Sequence, residues 1–136
     1  MRLSLLRFDL EKNPMSNPSV AIVGASRNRA KYGNISVHAH RDRGYDVYPV
    51  NPGADEIEGL RCYPSLASVP VAKLDRVSVY LPPEKSLSLL DELQRLPTCE
   101  VWFNPGSADR RVRERAAELG IEIIEACSIV NVGGFS

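Results

Sequence analysis

This sequence has no excess of charge of either sign. Its 136 residues include 17 lysines and arginines and 17 aspartates and glutamates, so the formal net charge is zero. A general nucleic-acid-binding protein presents a broad basic face to the phosphates. The balance argues against nucleic-acid binding, and any anion site must be local. At 136 residues, of which 43% are hydrophobic, the chain is long enough and apolar enough to fold as one domain with a sizeable core.

Cysteine and histidine are also scarce. The three cysteines, Cys62, Cys99 and Cys127, are odd in number and far apart, which favours a reducing compartment over a disulfide framework. The two histidines, His38 and His40, are two positions apart, so on a helix they would point in different directions. Because there is no Cys-x-x-Cys pair and no histidine pair, we do not expect a structural zinc site.

Long hydrophobic runs are absent. No uninterrupted apolar stretch approaches the roughly 20 residues of a membrane-spanning helix. Near the start, Arg7 and Asp9 interrupt the apolar stretch that a signal peptide would need. We therefore predict a cytoplasmic protein with no membrane contact. Met15 stands just before the first predicted strand, so we divide the chain into an N-terminal extension, residues 1–14, and one domain, residues 15–136.

The sequence does have a regular alternation of strand-like and helical segments. Short β-branched runs such as Val20–Val23 are typical of strands buried on both faces of a parallel sheet. Strands are predicted over 20–23, 45–50, 76–81, 100–103 and 121–125, with a short edge strand at 59–63. Helices are predicted over 34–43, after 82–83 and after 107, with Asn34 and Ser107 as N-caps. This order predicts an α/β fold with a mainly parallel sheet and helices on both faces.

The loops that follow the predicted strands are rich in glycine, proline, asparagine or serine. Ligands of open parallel sheets bind at the carboxyl ends of the strands, although turns need these residue types in any case. The loop after the first strand is the most informative, because Arg27, Arg29 and Lys31 come just before a helix. Helix N-termini attract anions, and Gly24 lets the backbone approach a phosphate. The loop is either an anion site or an ordinary solvated basic loop.

The second strand ends without an acidic residue, in Tyr48-Pro49-Val50-Asn51-Pro52. NAD-binding domains usually carry Asp or Glu at this point, where it accepts a hydrogen bond from the ribose 2′-hydroxyl. An NAD site therefore loses its best support. The prolines and the aliphatic side chain instead suit an adenine ring that lies on an apolar surface.

No catalytic arrangement of side chains stands out in the sequence. His40 is predicted to face the sheet as a partly buried, hydrogen-bonded residue. Cys127 lies where a ligand thiol could reach it, but the role of a small buried hydrophobic residue is the better interpretation. The arginines between positions 110 and 115 alternate with acids, which is typical of a solvated helix face. We therefore expect that the protein is not an enzyme.

Three motifs occur together: VAIVGAS at 20–26, GYDVYPVNP at 44–52 and VWF-x-x-G at 101–106. Shorter agreements are found at 56–59, 75–77, 116–120 and Cys127. In this combination, over about residues 19–128, the sequence resembles the small bacterial and archaeal CoA-binding proteins, which are similar to the N-terminal domain of the succinyl-CoA synthetase alpha subunit. The resemblance implies a single Rossmann-like domain with a doubly wound sheet. It also implies a non-covalent site for CoA or an acyl-CoA.

The resemblance further implies where the parts of CoA would lie. The pyrophosphate would lie near Gly24, Ala25 and Ser26, beside Lys31, Tyr32 and Gly33. Arg27 is added as a candidate phosphate contact because of its place in the basic loop, not because of the resemblance. The adenine would lie near Val50, Asn51 and Pro52. The pantetheine arm would pass Leu81, Pro82, Asn104, Pro105 and Gly106.

The sequence departs from the family pattern in three places. Asn104-Pro105 replaces a glutamine-containing turn, His40 stands where an aliphatic side chain is usual, and Ser128 stands where proline is usual. The first change could alter the path of the pantetheine arm. The active-site histidine of the synthetase belongs to a second domain that these motifs do not include, so ligase activity is not implied.

The resulting prediction is a non-catalytic protein that binds CoA or an acyl-CoA. Two alternatives stay open: a small nucleotide-dependent or redox enzyme that uses Cys127, and an interaction subunit whose nucleotide site is vestigial. The expected partner is a small CoA-type molecule, a homodimer stays open, and neither nucleic acid nor a membrane is expected.

Overall fold

The structure, a computed structural model, describes residues 16–135. The predicted extension, residues 1–14, lies outside the described residues, as do the two end positions of the predicted domain, 15 and 136. The strands are β1 (Ser19–Val23), β2 (Asp46–Val50), β3 (Glu56–Ile57), β4 (Leu60–Arg61), β5 (Leu74–Val79), β6 (Thr98–Phe103) and β7 (Ile124–Glu125). The helices are α1 (Tyr32–Asp42), α2 (Pro83–Leu93), α3 (Arg110–Leu119) and α4 (Ser128–Asn131), with a 3-10 turn at Leu66–Ser68.

Five of the strands form one parallel sheet in the order β2-β1-β5-β6-β7. The chain moves in one direction from β1 to β2 and in the opposite direction from β5 to β7, so the order reverses between β1 and β5. At such a point the loops that follow the two strands diverge and leave a crevice. The backbone N–H of Tyr80, directly after β5, donates to the carbonyl of Val23 at the end of β1 (2.8 Å). The predicted α/β fold with a mainly parallel sheet is confirmed.

Helices cover both faces of the sheet, as successive side chains of β1 show. Ala21 belongs to a core that includes Leu90 of α2, whereas Ile22 belongs to a second core with Val37 of α1. Because neighbouring side chains of a strand point to opposite faces, α1 and α2 lie on opposite sides. Ile129 of α4 extends the α1 side. Between residues 16 and 135, no helix is long and apolar enough to cross a membrane.

The predicted start of the first helix is wrong by about one turn. α1 begins at Tyr32, and Asn34 lies inside it rather than at its N-cap. The physical reason is that Gly33 packs directly against the carbonyl oxygen of Gly24, which places the first helical turn over the end of β1. The side-chain amide of Asn34 donates to the carbonyl of Ser26 at 2.8 Å and so holds the connecting loop in place.

The predicted cap of the third helix is also wrong. The N-cap of α3 is Asp109, whose carboxylate accepts a hydrogen bond from the backbone N–H of Val112 at 3.2 Å. Ser107 instead donates its hydroxyl to the carbonyl of Asn104 at 2.7 Å, because it closes the turn that follows β6. The helix ends at Gly120, which adopts the left-handed conformation with φ +72° that glycine takes without steric cost.

Several strand boundaries differ from the prediction. Residues 59–63 do not form one edge strand, because β3 and β4 make a separate antiparallel hairpin and Tyr63 makes an isolated parallel bridge to Val50. β7 has only two residues and pairs with β6 alone, at the edge of the sheet. β5 ends at Val79, so Tyr80 and Leu81 belong to the loop that follows it.

Candidate functional site

A cleft of about 560 Å³ opens at the carboxyl ends of β1, β5 and β6, beside the point where the strand order reverses. We call it the central cleft, and it is lined by Gly24, Ala25, Ser26, Ala30, Lys31, Tyr32, Gly33, Asn51, Tyr80, Leu81, Pro82, Pro105, Gly106 and Ser107. Four of the residues predicted for the site do not line it: Arg27, Val50, Pro52 and Asn104. The other predicted residues come together here.

Two touching backbone segments form the floor of the central cleft. Gly24 has φ +89°, and a Cβ added to it would lie 2.9 Å from the carbonyl oxygen of Tyr80. A Cβ added to Gly33 would collide with the carbonyl oxygen of Gly24. Only glycine fits at either position, so the main chain itself reaches the cleft. Lys31, at the N-cap of α1, makes no side-chain cap, which leaves first-turn N–H groups to solvent or to an anion.

Only one of the three cations of the loop after β1 faces the central cleft. Arg27 donates from Nε to the carbonyl of Glu56 at 3.1 Å, and Arg29 forms an ion pair with Glu58 at 3.2 Å. Both arginines therefore face the β3–β4 hairpin. Arg27 does not line the cleft, contrary to its prediction as a site residue. Lys31 does line it, and among the described residues it supplies the cleft's one basic side chain.

Glu58, to which the sequence analysis gives no role, fastens the hairpin to the elements around the cleft. Its carboxylate accepts a hydrogen bond from Asn34 Nδ2 at 3.0 Å and pairs with Arg29 and with His38 Nε2, the latter at 3.1 Å. The hydrogen bonds from Asn34 and Arg29 lower the pKa of Glu58 from 4.5 to about 2. Its φ of +51° is the left-handed conformation of a tight turn. An acid directly before Gly59 at a hairpin turn is the signal that could have identified it.

Asn51 joins the loops that follow β1 and β2. Its Nδ2 donates to the carbonyl of Ala25 at 2.7 Å, and its Oδ1 accepts from the backbone N–H of Gly53 at 2.7 Å. The backbone N–H of Gly24 also donates to the carbonyl of Val50 at 3.0 Å. Asn51 thus shapes the wall of the central cleft while its amide is engaged within the protein.

A smaller space of about 300 Å³ lies on the β2 side of the central cleft, and we call it the apolar ledge. Gly24, Asn51 and Leu81 line both spaces. The apolar side chains of the ledge come from Val23, Val50, Pro52, Pro64, Leu66, Leu81 and Leu89. The residues predicted to lie near adenine are therefore next to the central cleft, on a surface that suits a flat ring.

On its other side the central cleft continues into a cavity of about 180 Å³, which we call the end chamber. Tyr32, Tyr80 and Pro105 line both spaces, and the remaining walls come from Asn104, Cys127, Ile129 and Phe135. Tyr32 and Phe135 are 64% and 56% exposed, and their rings meet edge to face with centroids 6.4 Å apart. This pair forms the outer wall of the chamber.

A bonded polar network lies next to the end chamber. Asn104, which is 2% exposed, donates from Nδ2 to the hydroxyl of Ser78 at 2.8 Å and accepts at Oδ1 from the backbone N–H of Ser128 at 2.8 Å. The Tyr80 hydroxyl lies 3.0 Å from Ser128 Oγ, and burial raises the pKa of Tyr80. Asn104 is thus a brace between β5, β6 and α4, and it does not reach the central cleft along which the pantetheine arm is predicted to pass.

A second polar cluster lies between α1, the sheet and α4. His40 is fully buried, with Nδ1 2.9 Å from the carbonyl of Ser36 and Nε2 3.4 Å from Arg76 Nη1. These partners assign the proton to Nδ1 and a neutral ring, since Arg76 can only donate. Burial is the main cause that lowers the pKa of His40 from 6.5 to about 4, and the charge of Arg76 adds to it. Arg76 also donates to Glu100 and Asn131, both at 2.8 Å.

Burial and pairing bear on three further interpretations of the sequence. His40 is hydrogen-bonded as predicted, but it is fully rather than partly buried. Cys127 is half-buried and lines the end chamber, so its prediction as a buried core residue is wrong. The arginines of α3 form ion pairs with neighbouring acids, most of them well exposed, which confirms a solvated helix face.

Three residues of the central cleft are not among those predicted from the sequence: Ala30, Tyr80 and Ser107. Tyr80 falls inside the predicted strand 76–81, whereas the real strand ends two residues earlier, at Val79. Ser107 is predicted only as a helix cap. The rule that ligands bind where strands end would have found both, given the correct end of β5 and the turn after β6.

The apolar ledge, the central cleft and the end chamber differ in the chemistry of their walls. The central cleft offers backbone N–H groups and one lysine, and the other two spaces are mainly apolar. Among residues 16–135, no His, Cys, Asp or Glu lines the central cleft, and no three such residues group as a metal site. These features suit an extended ligand that is anionic in its middle and less polar at its ends.

Comparison with known proteins gives one family match, to the CoA binding domain, over residues 18–133. An ADP-forming acetate–CoA ligase (form II) of Archaeoglobus fulgidus is 46% identical over 54 residues, which is 38% of this chain and 8% of the ligase. The match therefore covers only a small part of the ligase's length. The protein YneT of Bacillus subtilis is 26% identical over 105 residues, 77% of each chain.

Among solved structures, a conserved hypothetical protein from Pyrococcus furiosus superimposes with a TM-score of 0.76 at 36% identity. The superposition covers 84% of this chain and 98% of that protein. The small relative thus has nearly the same extent as the fold described above.

Proposed function

The chain belongs to the CoA-binding domain family, and from this we propose that it binds coenzyme A or an acyl-CoA without transforming it. The observation that carries the proposal is the chemical order of the three joined spaces. The apolar ledge, the central cleft and the end chamber follow one another as do the base, the pyrophosphate and the thiol-bearing arm of CoA.

The centre of the cleft supports a bound pyrophosphate. Gly24 and Gly33 bring the main chain to the surface, and the first turn of α1 directs its positive dipole end there. Lys31 adds a full charge on the same side. A diphosphate could therefore accept hydrogen bonds from the backbone and pair with one cation, in a protein whose net charge is zero.

The end of β2 supports CoA over NAD. Val50 and Pro52 line the apolar ledge, and Asn51 uses its amide within the protein. No acid stands at this position to accept from a ribose 2′-hydroxyl, as NAD-binding domains usually provide. The adenine is proposed to lie on the ledge through apolar contact.

The proposal of a non-catalytic role is supported by the residue types of the central cleft. Among the described residues its titratable side chains are Lys31, Tyr32 and Tyr80. Tyr80 is hydrogen-bonded to the hydroxyl of Ser128, which is not the acid or base partner that acid–base or nucleophilic catalysis requires. We place the protein in the cytoplasm, because the unpaired Cys62 and Cys127 are typical of a reducing compartment.

Titration calorimetry with CoA, dephospho-CoA and NAD at fixed salt tests the proposal. We expect CoA to bind and NAD to bind weakly or not at all. Lys31→Ala should weaken CoA binding about fivefold and flatten its salt dependence, because a charged contact near the surface contributes about 1 kcal/mol. Lys73→Ala is the matched control, because Lys73 is exposed and directly precedes β5, at the amino ends of the strands and away from the cleft. No heat with CoA, or tighter binding of NAD, would contradict the proposal.

The redox alternative makes a different prediction. In it, the Cys127 thiolate would displace one CoA thiol from CoA disulfide and form a mixed disulfide with the other half. Intact-mass spectrometry after treatment with CoA disulfide detects this product. An adduct mapped to Cys127 would favour the alternative, whereas no adduct, or one on Cys62, leaves binding as the function.

A further inference from the structure

We propose that the end chamber holds the acyl group of a short-chain acyl-CoA and that it selects uncharged hydrocarbon over charged acyl groups. The inference rests on the proposed function and specifies its ligand: the pyrophosphate lies in the central cleft, and the thioester end reaches the chamber.

The first support is continuity between the spaces. Tyr32, Tyr80 and Pro105 line both the central cleft and the end chamber. The ledge on the opposite side shares Gly24 and Asn51 with the cleft. A ligand whose base lies on the ledge and whose phosphates lie at the centre therefore directs its remaining arm toward the chamber.

The second support is the chemistry of the chamber walls. Among the described residues no charged side chain lines it. Two of its polar wall groups are already bonded: Asn104 donates to Ser78 and accepts from Ser128, and the Tyr80 hydroxyl lies against Ser128 Oγ. A carboxylate placed here would lose water without gaining a counter-charge. A hydrocarbon chain would instead gain contact with Ile129, Phe135 and the ring of Tyr80.

The third support is size. The chamber encloses about 180 Å³, slightly more than the roughly 150 Å³ of an engineered apolar cavity that binds benzene. An acyl chain of about four or five carbons therefore fits the chamber. Longer chains would have to pass the exposed pair of Tyr32 and Phe135 into solvent.

The test compares ligands of equal length and different charge. Calorimetric titration with CoA, acetyl-CoA, butyryl-CoA and succinyl-CoA should give affinities that rise about fourfold per buried methylene, or about 15-fold from acetyl to butyryl. Succinyl-CoA has the same four-carbon chain as butyryl-CoA but ends in a carboxylate. It should bind no more tightly than acetyl-CoA.

A wall variant and its control locate the effect in the chamber. Phe135→Ala removes part of the outer wall, so the ratio of the affinity for butyryl-CoA to the affinity for CoA should fall at least threefold, because the acyl chain loses more contact than the bare thiol does. Val130→Ala is the control, because Val130 is 62% exposed on α4 and does not line the chamber. It should keep the wild-type preference.

The outcomes separate this inference from the function on which it rests. If CoA itself does not bind, both the proposed function and the acyl pocket are refuted. If CoA binds but affinity is independent of chain length, or succinyl-CoA binds more tightly than butyryl-CoA, only the acyl pocket is refuted. An unchanged preference in Phe135→Ala refutes the placement of the acyl group in the chamber.

Discussion

Mild acid should destabilise this fold through His40, before the carboxylates are protonated. The folded ring is neutral, with its pKa lowered to about 4 from the ordinary 6.5. Between these two pH values the unfolded chain binds the extra proton, so the free energy of unfolding decreases as the pH falls. The contribution is complete above pH 6.5 and is progressively lost toward pH 4. Linkage between these two pKa values gives a loss of about 2 kcal/mol from pH 7.5 to pH 5.

Urea denaturation at pH 7.5 and pH 5 measures this loss. His40→Gln removes the titrating group, so its free energy of unfolding should change about 2 kcal/mol less between the two pH values than that of the wild type. His38→Gln removes a half-exposed histidine from the same helix and should keep the wild-type loss, because His40 remains. The low pKa of Glu58, about 2, confines its effect to below about pH 4.5. Equal losses in the wild type and His40→Gln would refute the reasoning.

Urea denaturation also tests two other contacts, the one between Gly33 and Gly24 and the one between Arg76 and His40. Gly33→Ala should lower the free energy of unfolding by about 2 kcal/mol, because the new Cβ collides with the carbonyl oxygen of Gly24. Gly53→Ala is the control and should keep the wild-type stability, because its Cβ would lie no closer than 3.4 Å to any neighbouring atom. Arg76→Leu should cost about 2 kcal/mol, because it leaves buried His40 Nε2 without a donor. Wild-type stability in Gly33→Ala or Arg76→Leu would contradict the corresponding contact.

The general position of the site could be predicted because it depends on local sequence and on topology. Apolar runs locate the strands, and a parallel sheet brings their carboxyl ends to one edge. Gly24, Lys31, Asn51 and Pro105 therefore come together in the central cleft, although they are spread over most of the chain. Gly24, Asn51 and Pro105 follow the ends of strands, and Lys31 directly precedes the first helix, so these positions were enough to bring them together.

The direction of individual polar side chains could not be predicted, because it depends on partners far away in sequence. Arg27 reaches the carbonyl of Glu56, 29 positions away, across a hairpin that the sequence reads as one edge strand. Asn104 accepts from the backbone N–H of Ser128, 24 positions away, on a short helix that the sequence analysis does not assign. Neither partner is a neighbour by helix or strand periodicity, so only the folded chain reveals the pairing.

The contact between Gly24 and Gly33 also affects how this protein could be redesigned. The proposed anchor for the phosphates consists mostly of peptide groups, whose hydrogen-bonding capacity does not change when side chains elsewhere are exchanged. The ledge and the chamber, by contrast, are built from ordinary side chains such as Leu66 and Phe135. An engineer could therefore rework either end to accept a different base or a different thioester while the grip on the middle of the ligand stays constant. The groups that would hold the phosphates of the ligand are therefore separate from the side chains that would recognise its base and its acyl group.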